Sequence, residues 1–192
     1  QFFVKLGIKP FSFIIDNIFR RADGIMGITQ PFLELGLIRS RRSRSEFDNI
    51  FPLAYPKTEF SNEVQKKAKD FWDKLAVFKR ADQLRICFFV SHLFHRRIDI
   101  ETVIKALILA KSEGLKIQLI ACGNIYNNDP WFQGLKKSED IIFPGFIDAP
   151  KIQALMKISE IGLLPYKPSL DFNSSIPNKV IEYFSQSIPV LT

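Results

Sequence analysis

Ser174-Ser175-Ile176-Pro177-Asn178-Lys179-Val180-Ile181-Glu182-Tyr183 packs the most chemistry into the shortest stretch of this chain. Pro177 has the fixed φ that suits a first helical position, so Ser174, Ser175, Ile176 and Asn178 gather at a helix entrance. Unpaired backbone N–H groups and the positive end of the helix dipole favour an anion there, and a diphosphate fits. Lys179 is misplaced for a dipole that prefers acidic residues in the first turn; a bound phosphate would supply the missing negative charge. Glu182 follows three residues later on the same face, where a carboxylate can accept hydrogen bonds from two sugar hydroxyls. The competing reading is a plain surface Lys–Glu pair at this spacing, worth about 0.2–0.5 kcal/mol.

The elements that must position this segment are legible from Leu84 onward. Apolar runs at Arg85–Val90, Lys116–Cys122, Ile141–Phe143, Ile161–Leu164 and Pro189–Leu191 predict strands. Between them, Asp99–Ser112, Asp129–Lys137, Pro150–Ser159 and Pro177–Gln186 predict helices, with Asp99 as an N-cap and Glu101 favourable in the first turn. Near-continuous apolar strands alternating with helices predict a parallel, doubly wound sheet covered on both faces, with right-handed crossovers. Ligands of such sheets bind beyond the carboxyl ends of the strands at a switch in strand order. The post-strand stretches 91–97, 123–128, 144–148 and 165–176 are therefore where chemistry is expected.

Upstream the chain is heterogeneous. An apolar, aromatic stretch runs to about Phe19, Gly24–Thr29 reads as a buried strand, and Phe51-Pro52-Leu53-Ala54-Tyr55-Pro56 reads as an extended connection because each proline pushes its predecessor out of the helical region. Asn62–Lys79 then predicts an amphipathic helix, with Val64, Ala68, Phe71, Leu75 and Phe78 at spacings of three and four. Hydrophobic residues make up 46% and charged residues 24%, which separates the chain from disordered sequences. Lys5, Lys9, Asp16 and Arg20 interrupt the N-terminal apolar stretch, so no membrane span is expected there. Cys87 and Cys122 lie inside strand-like runs and not in a C-x-x-C pair, and read as two reduced, buried thiols of a cytosolic protein. Gln1 at the start and Ile188-Pro189-Val190-Leu191-Thr192 at the end read as cut points, so a piece of a longer chain is expected.

A net charge of +7 invites nucleic acid, a membrane surface or an anionic substrate, and composition does not choose among them. The densest basic cluster, Arg39-Ser40-Arg41-Arg42-Ser43-Arg44, reads either as a solvated loop or as a contact for anionic lipid headgroups. It has no interleaved aromatics, which argues against nucleic acid.

Ile176-Pro177-Asn178-Lys179-Val180-Ile181-Glu182-Tyr183-Phe184 followed by Ser187-Ile188-Pro189-Val190 resembles the "PNK…EY…G-PV" signature of the retaining GT-B glycosyltransferases of the family 4 type. Ile142-Phe143-Pro144-Gly145-Phe146-Ile147 is similar to that family's strand and glycine turn, and Glu160-Ile161-Gly162-Leu163-Leu164-Pro165 to its "D-I-G-L-x-P" strand. Arg21-Ala22-Asp23-Gly24-Ile25 resembles the closing strand of its acceptor-side domain. The resemblance spans nearly the whole chain from about residue 15.

The resemblance implies roles for matching residues. Glu182 matches the second glutamate of the family's E-x7-E element, which binds the nucleotide ribose, while Lys179 and the backbone at Ser174, Ser175 and Ile176, with Asn178, would face the diphosphate-sugar. Ser174 stands where the first glutamate of that element is expected, a departure that removes a carboxylate contact to the donor sugar. Arg96 and Arg97 would steady the leaving diphosphate, although the family's glycine-rich turn is replaced by Ser91-His92-Leu93-Phe94-His95; they read equally as surface arginines. His92 is a substrate contact or a solvated loop histidine. Gly123-Asn124 takes the place of a glycine turn that lets the nucleotide approach the backbone, and Phe146 and Ile147 either flank the base or pack in the core. With no Asp-x-Asp element and no clustered His/Cys ligands in the sequence, no metal is expected, and cationic side chains plus the helix dipole would stabilise the departing charge.

The resulting expectation is a GT-B type α/β protein with a Rossmann-like doubly wound donor domain and the tail of a second such domain. Residues 1–56 would be the remnant of the acceptor domain, 57–83 a linker and connecting helix, and 84–192 the truncated nucleotide-sugar-binding domain. The function implied is transfer of a sugar from a nucleoside-diphosphate sugar to a hydroxyl of a glycan or lipid-linked acceptor, with no cofactor beyond that donor, and with this stretch alone inactive. The cytoplasm or the cytoplasmic face of a membrane is the expected location. A nucleotide-sugar epimerase of the same architecture and a non-catalytic nucleotide- or nucleic-acid-binding protein are the rival readings, and neither accounts for Pro177–Glu182.

Overall fold

The computed structural model describes residues 2–56, 58–75, 82–93, 97–125, 140–168 and 176–192. It divides into two compact units, Gln1–Ala54 with Pro168–Pro177, and Tyr55–Lys167 with Asn178–Thr192.

In the first unit the N-terminal apolar stretch is a helix, α1 (Phe2–Arg21), with Arg20 and Arg21 in the last turn where the dipole favours cations. Two short parallel strands, β1 (Met26–Gly27) and β2 (Asn49–Ile50), pair Met26 with Asn49 and Gly27 with Ile50 across the intervening helix α2 (Gln30–Ser40). The strand expected over Gly24–Thr29 is thus only two residues long. No described helix is long and apolar enough to cross a membrane.

The basic cluster after α2 is tied back to the fold through Arg42 and Arg44. Asp48 is 2% exposed and accepts the Ile25 N–H at 2.7 Å through Oδ1 and the Ser45 N–H at 2.6 Å through Oδ2. The Arg42 guanidinium closes on the same carboxylate as a two-pronged fork, at 2.6 and 2.7 Å, and Arg44 donates to the Asp48 carbonyl oxygen. Such bidentate, charge-assisted geometry explains why a carboxylate tolerates burial here. Arg39 reaches Asp16 at 3.8 Å, which leaves Arg41, the left-handed residue that ends α2, with an exposed side chain.

The Arg42 guanidinium and the Ser45 and Ile25 N–H groups hold the Asp48 carboxyl well below the usual carboxylate range. A lowered folded value means that the charged form contributes stability above the unfolded value, about 3.9, and that this is lost as pH falls through the folded one. Asp48→Asn is therefore expected to lower the urea midpoint of the first unit at neutral pH, with the gap to wild type closing under acid. A gap undiminished near about pH 2 would contradict this account.

The second unit holds the site. Its strands are β3 (Leu84–Leu93), β4 (Ile117–Ile125), β5 (Ile141–Ile142), β6 (Ile161–Leu163) and β7 (Val190–Leu191). All pairs are parallel, in the order β5-β4-β3-β6-β7. The chain winds outward from β3 to β5, then crosses back to lay β6 on the other side of β3, so strand order switches between β3 and β6. Along β3, Cys87 and Phe89 enter one core cluster and Ile86 and Phe88 the other; along β4, Ile120 and Cys122 alternate with Leu119 and Ala121 in the same way. Both faces are buried, which is why the strands read as continuous apolar runs. Cys87 and Cys122 are free, buried thiols, and burial pushes Cys87 up to about 11.

The covering helices start where side chains cap them. Ser61 accepts the Val64 N–H to open α3 (Asn62–Lys74), Asp99 accepts the Thr102 N–H to open α4 (Ile100–Ser112), and Asp148 accepts the Lys151 N–H to open α5 (Ala149–Ile158). Helix α3 packs on α5 through Trp72, which is fully buried and whose indole N–H donates to the Lys151 carbonyl at 2.8 Å. The last helix is α6 (Asn178–Ser185), beginning one residue after Pro177. The helix expected over 129–137 lies outside the described residues.

Candidate functional site

At the carboxyl ends of β3 and β4 the pairing register slips between Phe89 and His92 and then resumes with His92 opposite Asn124. Two expected site residues, both exposed, thereby become neighbours at the sheet's rim. Gly123, beside them, has φ +149, and a side-chain carbon there would fall 2.6 Å from the Val90 carbonyl oxygen. Its N–H donates to the carbonyl oxygen of Gly145, itself at φ +80, over 2.8 Å. Only glycine meets both demands; Gly123 is itself buried, and the backbone ledge it forms reaches the surface at the exposed Asn124.

Helix α6 brings Lys179 and Glu182 to the same end of the sheet. Its anchor is Tyr183, fully buried, whose hydroxyl donates within reach of the Cys87 and Leu163 carbonyl oxygens at 3.0 and 3.2 Å and so sits across β3 and β6. Tyr183 also packs edge-on to Phe89, with ring centroids 5.1 Å apart. One turn earlier Lys179 falls over that same Phe89 ring, its Nζ 4.9 Å from the centroid and 3.5 Å from Glu182 Oε1. The two side chains keep 24% and 16% of their exposure: they are neither a plain surface pair nor sealed in the core. The positive helix entrance, with no acidic residue in its first turn, lies beside them. Asn178 is exposed, as is Ile176 at 56%.

Across the switch point, the segments after β3 and β6 are stitched together. Asp99 N–H donates to the Pro165 carbonyl at 2.7 Å, Lys167 N–H donates to the Arg97 carbonyl at 2.9 Å, and Ile98 and Tyr166 form a single bridge between them. Burial pushes the Tyr166 phenol up, Arg97 opposes this and Glu182 adds to it, so Tyr166 lies within the electrostatic reach of both groups. Arg97 and Tyr166 are thereby fixed just beyond β3 and β6, next to the strand whose Phe89 ring carries Lys179. Tyr166 and Phe89 were missed by sequence reasoning; the available signals were the place of Tyr166 just after β6 and of Phe89 near the end of β3.

Two expectations need correction or restriction. Ile147 is 6% exposed and belongs to the core with Leu155 and Tyr183, the packing role that was its second reading, while Phe146 is 64% exposed on the glycine turn. Ser174, Ser175, His95 and Arg96 lie outside the described residues. Among the described residues no group of three His, Cys, Asp or Glu is placed to hold a metal ion. Among the described residues this end of the sheet offers the Lys179 ammonium, the Arg97 guanidinium, the α6 entrance and the Glu182 carboxylate, a set able to receive an anion beside a hydroxyl-bearing group.

The fold recurs in solved structures. The UDP-forming α,α-trehalose-phosphate synthase of Burkholderia xenovorans superposes with a TM-score of 0.60 at 13% identity, over 92% of this chain and 46% of that one. WaaG, a glycosyltransferase involved in lipopolysaccharide biosynthesis, gives 0.59 at 18% identity, over 87% and 43%. The α,α-trehalose 6-phosphate synthase of Burkholderia multivorans gives 0.56 at 12%, over 88% and 44%. The fold is that of the GT-B glycosyltransferases. The chain spans less than half the length of each of these structures. No family model and no curated protein matches it in sequence.

Proposed function

We propose that this chain supplies the donor-binding part of a glycosyltransferase that moves a sugar from a nucleoside-diphosphate sugar to a hydroxyl of a glycan or lipid-linked acceptor. The observation that carries the reading is the half-buried Lys179–Glu182 pair at a helix entrance, held over the carboxyl end of β3 beside the switch point. In this reading Glu182 accepts from the nucleotide's hydroxyls, the Gly123 ledge lets the nucleotide lie against backbone, and Phe146 flanks the base. Lys179, Arg97 and the α6 entrance meet the charge that gathers on the departing diphosphate, with Arg96 as a second guanidinium. Retention of configuration, a family 4 type relationship and a role in cell-surface polysaccharide synthesis follow from the motif resemblance. The same holds for the division into an acceptor-side remnant at 1–56, a connection at 57–83 and a donor domain at 84–192. The site of action would be the cytoplasmic side of a membrane, with Arg41 as the cation of the 39–44 cluster left for anionic headgroups.

Titration calorimetry of UDP, GDP and ADP into the chain tests the donor site directly. Saturable binding of at least one diphosphate is expected, undiminished by excess EDTA and stronger than that of its monophosphate, because the helix entrance addresses the second phosphate. Binding that vanishes with EDTA, or no preference for the diphosphate, contradicts the proposal.

A further inference from the structure

The second unit carries a polar groove of about 700 Å³ away from the strand ends, walled by the segment before α3, the first turns of α3, helix α5 and the end of α6. Its lining is distinctive in chemistry. Two aromatic rings, Tyr55 and Phe60, face it together with four neutral amides, Asn62, Gln65, Gln153 and Gln186. Two of those amides are held in place: Gln65 donates to the Phe60 carbonyl at 2.6 Å and Gln153 to the Thr58 carbonyl at 2.9 Å. Each carboxamide oxygen is thereby pre-oriented as an acceptor. Among the described residues the charged members are Lys157 and Glu59.

We infer that this groove binds a neutral stretch of a glycan chain. Sugar hydroxyls both donate and accept, which amides match and isolated charges do not, while the C–H faces of a pyranose pack on aromatic rings. A phosphate-rich ligand would call for several cations and a lipid for an apolar lining, and the described lining has neither. It lies on the same unit as the donor crevice, and Glu182 is near enough to Tyr55 to act on its phenol. The inference rests on the glycosyl-transfer reading for its choice of ligand, and it adds to that reading a glycan contact on the donor-side unit.

The test is an array of neutral oligosaccharides, acidic oligosaccharides and unmodified peptides, probed with the fluorescently labelled chain and with its Phe60→Ala and Asn62→Ala variants, each checked for folding by circular dichroism and for UDP binding by calorimetry. Binding to neutral oligosaccharides is expected, weakened on the order of tenfold by loss of the Phe60 ring, with UDP binding unchanged. If UDP binds and no neutral oligosaccharide does, or if peptides bind instead, the groove inference is wrong and the donor reading stands. If neither UDP nor any saccharide binds, both fall. A variant that loses its circular dichroism signal is replaced by Gln186→Ala, held to the same outcomes.

Discussion

Lys179→Ala, introduced into the enzyme with both Rossmann-like domains, is expected to lower kcat by about 10²–10³, or roughly 3–4 kcal/mol of transition-state stabilisation, while donor affinity changes far less. The reason is timing. Nucleoside-diphosphate departure builds negative charge on the leaving oxygens, so an ammonium fixed beside them interacts more strongly as the bond breaks than before. Lys179 is placed for this because the Phe89 ring below it and Glu182 beside it hold its Nζ against a helix entrance. Glu182→Ala removes a different interaction, an acceptor for nucleotide hydroxyls that scarcely alters during the reaction, and should chiefly raise KM. It also removes the partner that steadies Lys179, so a smaller loss in kcat should accompany it. Steady-state kinetics of the two variants, with and without chelator, decide the matter. A Lys179→Ala enzyme with wild-type turnover, or activity abolished by EDTA, would remove the mechanism.

The other large effect concerns how α6 is held. Tyr183→Ala is expected to destabilise the second unit by about 3–5 kcal/mol, the usual range for truncating a large buried aromatic. Tyr183→Phe keeps the ring and removes only the hydroxyl shared between the Cys87 and Leu163 carbonyls, and should cost about 1–3 kcal/mol. The position facing it is as sensitive. A side-chain carbon at Gly162 would fall 2.5 Å from atoms of the Tyr183 ring, so the helix can sit against β6 only because that residue is glycine. Gly162→Ala should therefore destabilise wild type and do so less once Tyr183 has been shortened to leucine, a coupling that urea unfolding of the four chains of a double-mutant cycle would expose. Additive losses, or a neutral Gly162→Ala, would show that α6 is not anchored in this way. If α6 is anchored so, Tyr183 variants that still fold should also lose donor binding, since the anchor sets where Lys179 lies.

Much of the second unit was legible in the sequence because its signals are local. The apolar runs at Ile86-Cys87-Phe88-Phe89 and Leu119-Ile120-Ala121-Cys122 are those of strands buried on both faces, and Asp99 marks a helix start by capping chemistry that spans three residues. The chemistry-bearing segment at 176–182 was legible for the same reason: a proline, a lysine and a glutamate at fixed spacing on one predicted helix. Local signals fail where a residue's role depends on a distant one. Ile147 belongs to the core and Phe146 to the surface, though both stand after the same glycine turn, because only the packed position of α5 and α6 decides which side chain faces inward.

The first unit shows the same limit from the other side: six residues of basic cluster suggest a solvated or lipid-facing loop, yet Arg42 and Arg44 turn back to enclose Asp48, whose burial also depends on the Ile25 N–H 23 residues away. What the amino-acid order determined by itself was the class of fold and the order of most elements of the second unit, since each depends on neighbours within about a helical turn. Only the tertiary structure decided that strand order switches between β3 and β6, that Tyr183 reaches Cys87 across 96 residues to hold α6, and that Ile98 pairs with Tyr166 beyond the strand ends. These contacts form because burying both faces of a parallel sheet brings remote segments together, and no periodicity along the chain records which segments they will be.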